Sequence, residues 1–173
     1  MAKIEKELTQ ELVKYLFDYK DGVLYWKNPQ TNKNKVGSIA GYINKKEFRS
    51  RVMIGIGYKR YIASRLIFLW HHGFLPKCVD HIDRNTLNDR IENLRGATKR
   101  ENSRNRNPNI GSYSQYLGVT FHKRDKKWQA QIGLPERKGY IGVFEKESDA
   151  ALAYNKEAVK YFGEFANLNI IKP

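Results

Sequence analysis

The 173-residue chain has one cysteine, Cys78, so it cannot close an internal disulfide and it suits a reducing interior. No apolar run approaches the roughly 20 residues needed to cross a bilayer. The opening Met1-Ala2-Lys3-Ile4-Glu5-Lys6 is charged and lacks the apolar stretch of a secretion signal. Internal repeats and long low-complexity tracts are missing as well. These absences argue against a disulfide-stapled domain, a membrane protein and a repeat array, and they predict a soluble cytoplasmic protein with no membrane partner. Negative charge is also scarce: 18 Asp and Glu stand against 32 Lys and Arg, a formal net charge of +14.

The positive excess is largest early in the chain. Residues 1–78 carry 15 basic and 6 acidic groups, residues 79–110 carry 7 and 5, and residues 111–173 carry 10 and 7. A field of this sign attracts polyanions and raises encounter rates with them. The basic groups sit among aromatics and strand-like alternation, as in Lys45-Lys46-Glu47-Phe48-Arg49-Ser50-Arg51 and Tyr58-Lys59-Arg60-Tyr61. No basic amphipathic helix stands out, so nucleic acid is the expected partner rather than an acidic membrane. Lys45, Lys46, Arg49, Arg51, Lys59 and Arg60 are the candidate phosphate contacts of this region. With 40% apolar and 13% aromatic residues the chain should fold, as one ordinary domain or as two to three small modules.

Local patterns predict the elements. Thr9 can cap a short helix over 9–17, followed by an Asp21-Gly22 turn and a strand through Val23-Leu24-Tyr25-Trp26. Strands are expected at about 48–56 and 58–63, with Gly55 and Gly57 at the bend. Ala63 to His72 reads as a buried helix that stops at Gly73. The polar, Gly/Pro-punctuated stretch 107–115 reads as a linker between modules. Beyond it, three strands (117–122, 127–132, 139–144) precede a helix over 147–162, in which Ala150, Ala151, Ala153 and Ala158 permit close packing on a sheet.

Chemistry concentrates in Val79-Asp80-His81-Ile82-Asp83-Arg84-Asn85, then Ile91-Glu92-Asn93-Leu94-Arg95 and Thr98-Lys99-Arg100-Glu101-Asn102. Phosphodiester hydrolysis needs a base for water and a Lewis acid for the phosphate and leaving oxygen, held in line. His81 is the natural base near neutral pH. Asp80 and Asn102 offer hard oxygen donors, which suit magnesium or manganese better than zinc. Thr98-x-x-Glu101 is a capping box that should start a helix at Lys99, while Leu94 to Thr98 reads as the second strand of a hairpin. Adjacent strand residues point to opposite faces, so Asp80 and His81 can share one phosphate only where the strand ends or bends. Singly, these Asp and Asn residues are ordinary turn and cap residues; the ordered set carries the functional reading.

The set resembles the HNH endonuclease family, in the Asp/His/Asn/Asn variant found among phage and intron-encoded homing enzymes, closely from Arg65 through Asn105. The resemblance implies a beta-beta-alpha-metal finger, with Asp80 and Asn102 as metal ligands, His81 as general base and Asn93 orienting that histidine through a hydrogen bond. It implies one Mg2+ (or Mn2+), a cut strand with 5′-phosphate and 3′-hydroxyl ends, and a phage-encoded protein acting in the host cytoplasm. Relatives often carry a histidine where this chain has Ser64. A zinc site built from His71, His72, Cys78 and His81 is disfavoured because there is no Cys-x-x-Cys. His71 and His72 are expected at a helix end, and Cys78 as a small buried residue.

Residues 116–169 resemble the DNA-binding domain of plant Apetala and ethylene-response factors. The matching stretches are Tyr116-Leu117-Gly118-Val119, Trp128-Gln129-Ala130-Gln131-Ile132, Tyr140-Ile141-Gly142-Val143-Phe144, Ala150-Ala151-Leu152-Ala153-Tyr154, Gly163, and Ala166-Asn167-Leu168-Asn169. The resemblance implies a three-stranded sheet in the major groove with a helix behind it. Alternation puts Val119, Phe121, Trp128, Ala130 and Ile132 toward the helix. Thr120, His122, Arg124, Gln131, Lys138 and Tyr140 then face solvent or DNA. The plant pattern has arginines where this chain has Leu117, Thr120 and Gly133, so their bidentate guanine contacts cannot be made here. Lys126 and Lys127 are equally well read as turn lysines or phosphate contacts.

The expected class is α+β, in four parts. Residues 1–64 form a strand-rich DNA-positioning region, 65–106 the HNH motif, 107–115 a linker and 116–173 the Apetala-like domain. The expected function is a homing-type endonuclease that nicks double-stranded DNA as a monomer or DNA-dependent dimer, with Arg84 and Arg95 among its DNA contacts. The alternatives are a non-catalytic DNA-binding regulator on the same scaffold and, more weakly, an RNA-binding protein.

Overall fold

The computed structural model describes residues 7–45, 50–105, 113–134 and 138–171. It is an α+β protein whose sheets are all antiparallel, and it divides into two compact units, Met1–Lys99 and Arg100–Pro173. Most of the expected linker 107–115 lies outside the described residues, as do Lys46 and Arg49. Among the described residues no helix is long and apolar enough to cross a membrane.

The first unit opens with α1 (Gln10–Leu16), capped by Thr9, whose hydroxyl accepts the Leu12 N–H at 3.2 Å. The chain passes without a break from α1 into β1 (Phe17–Lys20), which pairs with β2 (Val23–Trp26). Asp21 and Gly22, at φ of 50° and 85°, make the left-handed two-residue turn that matches strand twist. A second sheet has the order β3-β4-β5, from Tyr42–Asn44, Arg51–Ile56 and Lys59–Ile62. Gly57, at φ of 59°, makes the β4–β5 turn; Gly55 lies inside β4 instead.

α2 (Ala63–His72) occupies the expected span, ending where Gly73 takes φ of 76° and returns its N–H to the Leu69 carbonyl at 3.0 Å. Its Ala63, Leu66, Ile67, Phe68 and Leu69 join Val13, Leu16, Phe17, Leu24, Trp26, Ile54 and Leu94 in one core. That core seats the next hairpin, β6 (Cys78–His81) with β7 (Leu94–Ala97), while Arg65 reaches back from α2 to the Pro76 and Lys77 carbonyls. A single 3-10 turn, Ile91–Asn93, leads into β7. α3 (Lys99–Arg104) starts at the residue the capping box predicted.

The second unit is a sheet of order β10-β9-β8 backed by α4 (Glu147–Phe162); the strands are Val119–His122, Lys127–Gly133 and Lys138–Phe144. Val119, Ala130, Ala150 and Ala151 form one buried cluster and Ile132, Tyr154 and Ala158 a second. The alanines bring α4 close against the sheet, and Asn169 ties the end of the chain to both the N–H and the carbonyl of Leu117. Phe121 stands opposite Trp128, on the face of Val119 as alternation predicts, with its ring between those of Tyr113 and Trp128 at 5.8 and 4.9 Å.

Candidate active site

Hairpin β6–β7 carries the chemistry-bearing residues of the first unit. In register Asp80 stands opposite Arg95 and His81 opposite Leu94, and alternation sends the two neighbours to opposite faces. Asp80 is 4% exposed, and Arg95 holds its Oδ2 through Nε at 2.9 Å and Nη2 at 2.8 Å. His81, 9% exposed, places Nε2 at 2.7 Å from Oδ1 of Asp89, itself 3% exposed. The strand stops at His81: Arg84 takes φ of 66° and donates its N–H to the His81 carbonyl at 2.9 Å.

Two expected roles change here. Arg95 was expected to contact DNA, yet its guanidinium is largely buried and pairs with Asp80, because the hairpin register sets opposite charges face to face. Asn93 was expected to bond the His81 imidazole. Its side chain instead accepts the Asp83 N–H at 2.9 Å and donates to Asp83 Oδ1 at 2.9 Å and to the Asn88 carbonyl at 2.7 Å. Asn93 therefore braces the loop after β6, while Asp89 holds the imidazole. The same loop carries two Asx turns, from Asp83 to the Asn85 N–H and from Asn85 to the Leu87 N–H. Thr86 fastens it to the Ser50 carbonyl at 2.6 Å. Burial pushes the Asp83 carboxyl up, but the bonds from Asn88, Asn85 and Asn93 outweigh it and hold the group below the usual carboxylate value.

The bracing role has a direct test. Asn93→Ala removes all three side-chain bonds at a net cost of about 1–3 kcal/mol, and the Asp83 amide, now without its acceptor, should exchange hydrogen much faster. Unchanged protection at Asp83 would exclude Asn93 as the brace.

Asn102 lies half-buried on α3, within the second unit. Among the described residues no three His, Cys, Asp or Glu side chains gather to hold a metal ion. His71 and His72 close the last turn of α2, as expected, with their rings against Tyr19 at 4.6 Å and Phe68 at 4.2 Å. Burial, then the neighbouring His72, holds the His71 imidazole below its usual pKa. Cys78 is a half-buried free thiol.

The basic candidates divide by strand. On β4 and β5, Arg51 stands opposite Asn44 and Arg60 opposite Gly55, on the face that alternation sets against that of the buried Ile54 and Ile56. Lys59 pairs with Ile56 and belongs to the other face; Lys45 and Arg84 are exposed. In the second unit Thr120, His122 and Tyr140 are exposed and Gln131 is half-buried. Gln129, which stands opposite both Thr120 and Val143, shares their face; sequence reasoning passed over it, although the alternation that turns Trp128 and Ala130 toward the helix assigns it. Arg124 and His122 both pair with Asp125, at 2.8 and 3.1 Å, and Lys127 pairs with Glu145 at 2.8 Å. Lys138 opens β10.

Residues 61–104 match the HNH endonuclease family. The chain is 35% identical over 81 residues to Protein 3.8 of Escherichia phage T7, an overlap of 43% of this chain and 67% of that protein. It is 40% identical over 58 residues to the AP2-like ethylene-responsive transcription factor TOE2 of Arabidopsis thaliana, covering 34% of this chain and 12% of the plant protein. With APETALA2-like protein 2 of Oryza sativa subsp. indica the identity is 39% over 56 residues, 32% of this chain and 13% of that protein. The chain thus spans about an eighth of the length of these plant relatives.

Proposed function

The chain belongs to the family that includes Protein 3.8 of Escherichia phage T7 and carries an HNH endonuclease domain, and on that premise we propose that it is a homing-type endonuclease that nicks double-stranded DNA. The observation that carries this reading is the Asp80–His81 pair at the end of β6. Both side chains are buried and each is held by its own charged partner, inside the segment that matches the nuclease family.

In this reading Asp80 and Asn102 are the residues that would hold one divalent cation. Their donor set, a carboxylate and a carboxamide oxygen, fits magnesium or manganese and does not call for zinc. Arg95 takes one oxygen of Asp80 and fixes the carboxylate's orientation. When bound, the cation supplies Lewis-acid stabilisation of charge on the phosphate and the leaving oxygen. His81 takes a proton from water; the resulting hydroxide attacks phosphorus in line, and the bond to the 3′-oxygen breaks. That oxygen takes a proton from solvent, so the products carry a 5′-phosphate and a 3′-hydroxyl. One such histidine per chain cuts one strand per visit, which favours a nick.

The reading is modular. Residues 65–106 perform the chemistry and residues 1–64 position DNA through Arg51 and Arg60 on the outer face of β3–β5. Residues 116–173, after the linker 107–115, act as the Apetala-like DNA-binding module and present Thr120, Gln129, Gln131 and Tyr140 to the groove. The protein acts in the cytoplasm of a phage host, as a monomer or a DNA-dependent dimer.

Supercoiled DNA incubated with the protein and magnesium should relax to the nicked circle, and a chelator should prevent it. A second reading, a DNA-binding regulator without catalysis, draws on the engagement of Asp80 by Arg95 and of His81 by Asp89, as in a purely structural scaffold. Absence of metal-dependent nicking on DNA that carries its bound site decides for the regulator. Asn102→Ala should lower the rate, or raise the metal concentration it needs, by about 10- to 100-fold; unchanged cleavage removes Asn102 from the site.

A further inference from the structure

We propose that Asp89 is a positioning residue for His81: by accepting the Nε2 hydrogen it fixes the neutral imidazole in the tautomer whose lone pair lies on Nδ1, and so makes Nδ1 the atom that takes the proton from the attacking water. The inference rests on the reading of His81 as the general base.

The geometry is specific. A carboxylate only accepts hydrogen bonds, so across the 2.7 Å contact the hydrogen belongs to Nε2. In a neutral imidazole the other nitrogen then has none. Among the described residues His81 is the one hydrogen-bond partner of the Asp89 side chain.

Asp89 also sits on a stiff frame. The backbone of Asp89 and Arg90 lies against the β1–β2 turn so closely that a Cβ on Gly22 would come within 2.8 Å of the Arg90 nitrogen and 3.0 Å of the Asp89 carbonyl carbon. The Arg90 carbonyl accepts the Asn93 N–H at 2.9 Å, and the Ile91 N–H donates to the Tyr19 hydroxyl at 3.1 Å. The carboxylate is thereby aimed from a backbone anchored to two other elements. Once water has given its proton to Nδ1, the imidazolium faces the Asp89 carboxylate, which holds the new charge in place, as in the carboxylate–imidazole pair of a serine-protease triad.

The test combines nitrogen NMR of the full chain, labelled in its four histidines, with single-turnover nicking on saturating DNA. A His81→Gln spectrum identifies the His81 resonances. At a pH where the imidazoles are neutral, wild-type His81 should carry its hydrogen on Nε2. Asp89→Asn should disturb that preference and slow nicking on the order of 10²-fold while DNA affinity stays within about twofold, and Asp89→Glu should recover part of the rate. Wild-type His81 with its hydrogen on Nδ1 overturns the proposal, whether or not the Asn variant folds. So does a fully active Asp89→Asn beside an inactive His81→Gln, and that result leaves the base reading standing. A His81→Gln protein that nicks at the wild-type rate overturns the base reading and this inference with it.

Discussion

His81→Ala should slow nicking of saturating DNA by about 10²- to 10⁴-fold, the range a positioned general base contributes, while DNA affinity measured in chelator stays within about twofold. The separation follows from what the base does: a neutral imidazole adds little to ground-state attraction for phosphate, and its work is done as the proton moves. Burial complicates the alanine variant. His81 is the partner of a carboxylate that is 3% exposed, and truncation leaves that group unsatisfied at a cost of about 1–3 kcal/mol. His81→Gln supplies the control, since its side-chain amide can still donate toward Asp89 but is no base at neutral pH. Both variants should lose cleavage, and only the alanine should melt appreciably lower. Lost DNA binding in the glutamine variant would mean that His81 is a contact residue and not the base.

The elements that local chemistry specifies are legible in the amino-acid sequence. α2 shows its apolar stripe and its glycine stop, and it occupies Ala63–His72 as expected. α4 and its three strands follow alternation and small-residue spacing in the same way. Two strands escape for identifiable reasons. β1 begins at the residue after α1 ends, so no turn residue separates the helical from the extended pattern. β3 is three residues long and exposed throughout, so it has no buried face to create a pattern; its strand character comes from pairing with β4.

At the site, residue identity is legible and partnership is not. Asp80, His81 and Asn93 stand out in the sequence, but the groups that hold them are chosen by register. Arg95 reaches Asp80 because the two stand opposite each other in the hairpin, a pairing that a correct register alone would have revealed. Asp89 looks like one more polar residue in an Asn-rich loop. Its burial against His81 is decided by the β1–β2 turn and Tyr19, about seventy positions earlier, which fix the backbone at 89–91. Asn93 meets a different neighbour from the expected one for the same reason: the loop from Asp83 to Asn88 folds back onto it and satisfies its amide first.

Gly118→Ala should strongly destabilise the β8–β10 sheet and α4 of the second unit while leaving the first unit intact. Gly118 holds φ of 71°, and a Cβ there would lie 2.1 Å and 2.4 Å from ring carbons of Tyr154 and 2.5 Å from the Gln131 carbonyl oxygen. Tyr154 is buried between sheet and helix, and the Gly118 carbonyl itself accepts the Gln131 N–H at 2.8 Å, so neither neighbour can step aside. Left-handed backbone costs a non-glycine residue about 1–2 kcal/mol and overpacking about 1–3 more. A unit the size of Arg100–Pro173 has roughly 4–11 kcal/mol in all, at roughly 0.05–0.15 per residue, so the substitution removes a large share of it. A calorimetric scan should lose or sharply lower one transition and keep the other, and DNA affinity should fall by about 10- to 100-fold if the sheet of this unit binds DNA. Nicking at saturating DNA is the informative readout, because α3 crosses the boundary between the units: Lys99 lies in the first, and Arg100 to Arg104 lie in the second. The nuclease match ends at Arg104, so on the modular reading α3 should keep its helix when the sheet of the second unit is lost, and the chemical step should survive within about threefold. A rate that collapses with the sheet, at DNA concentrations that saturate binding, would mean that α3 and its Asn102 depend on the second unit, and the modular division proposed at 107–115 would fall.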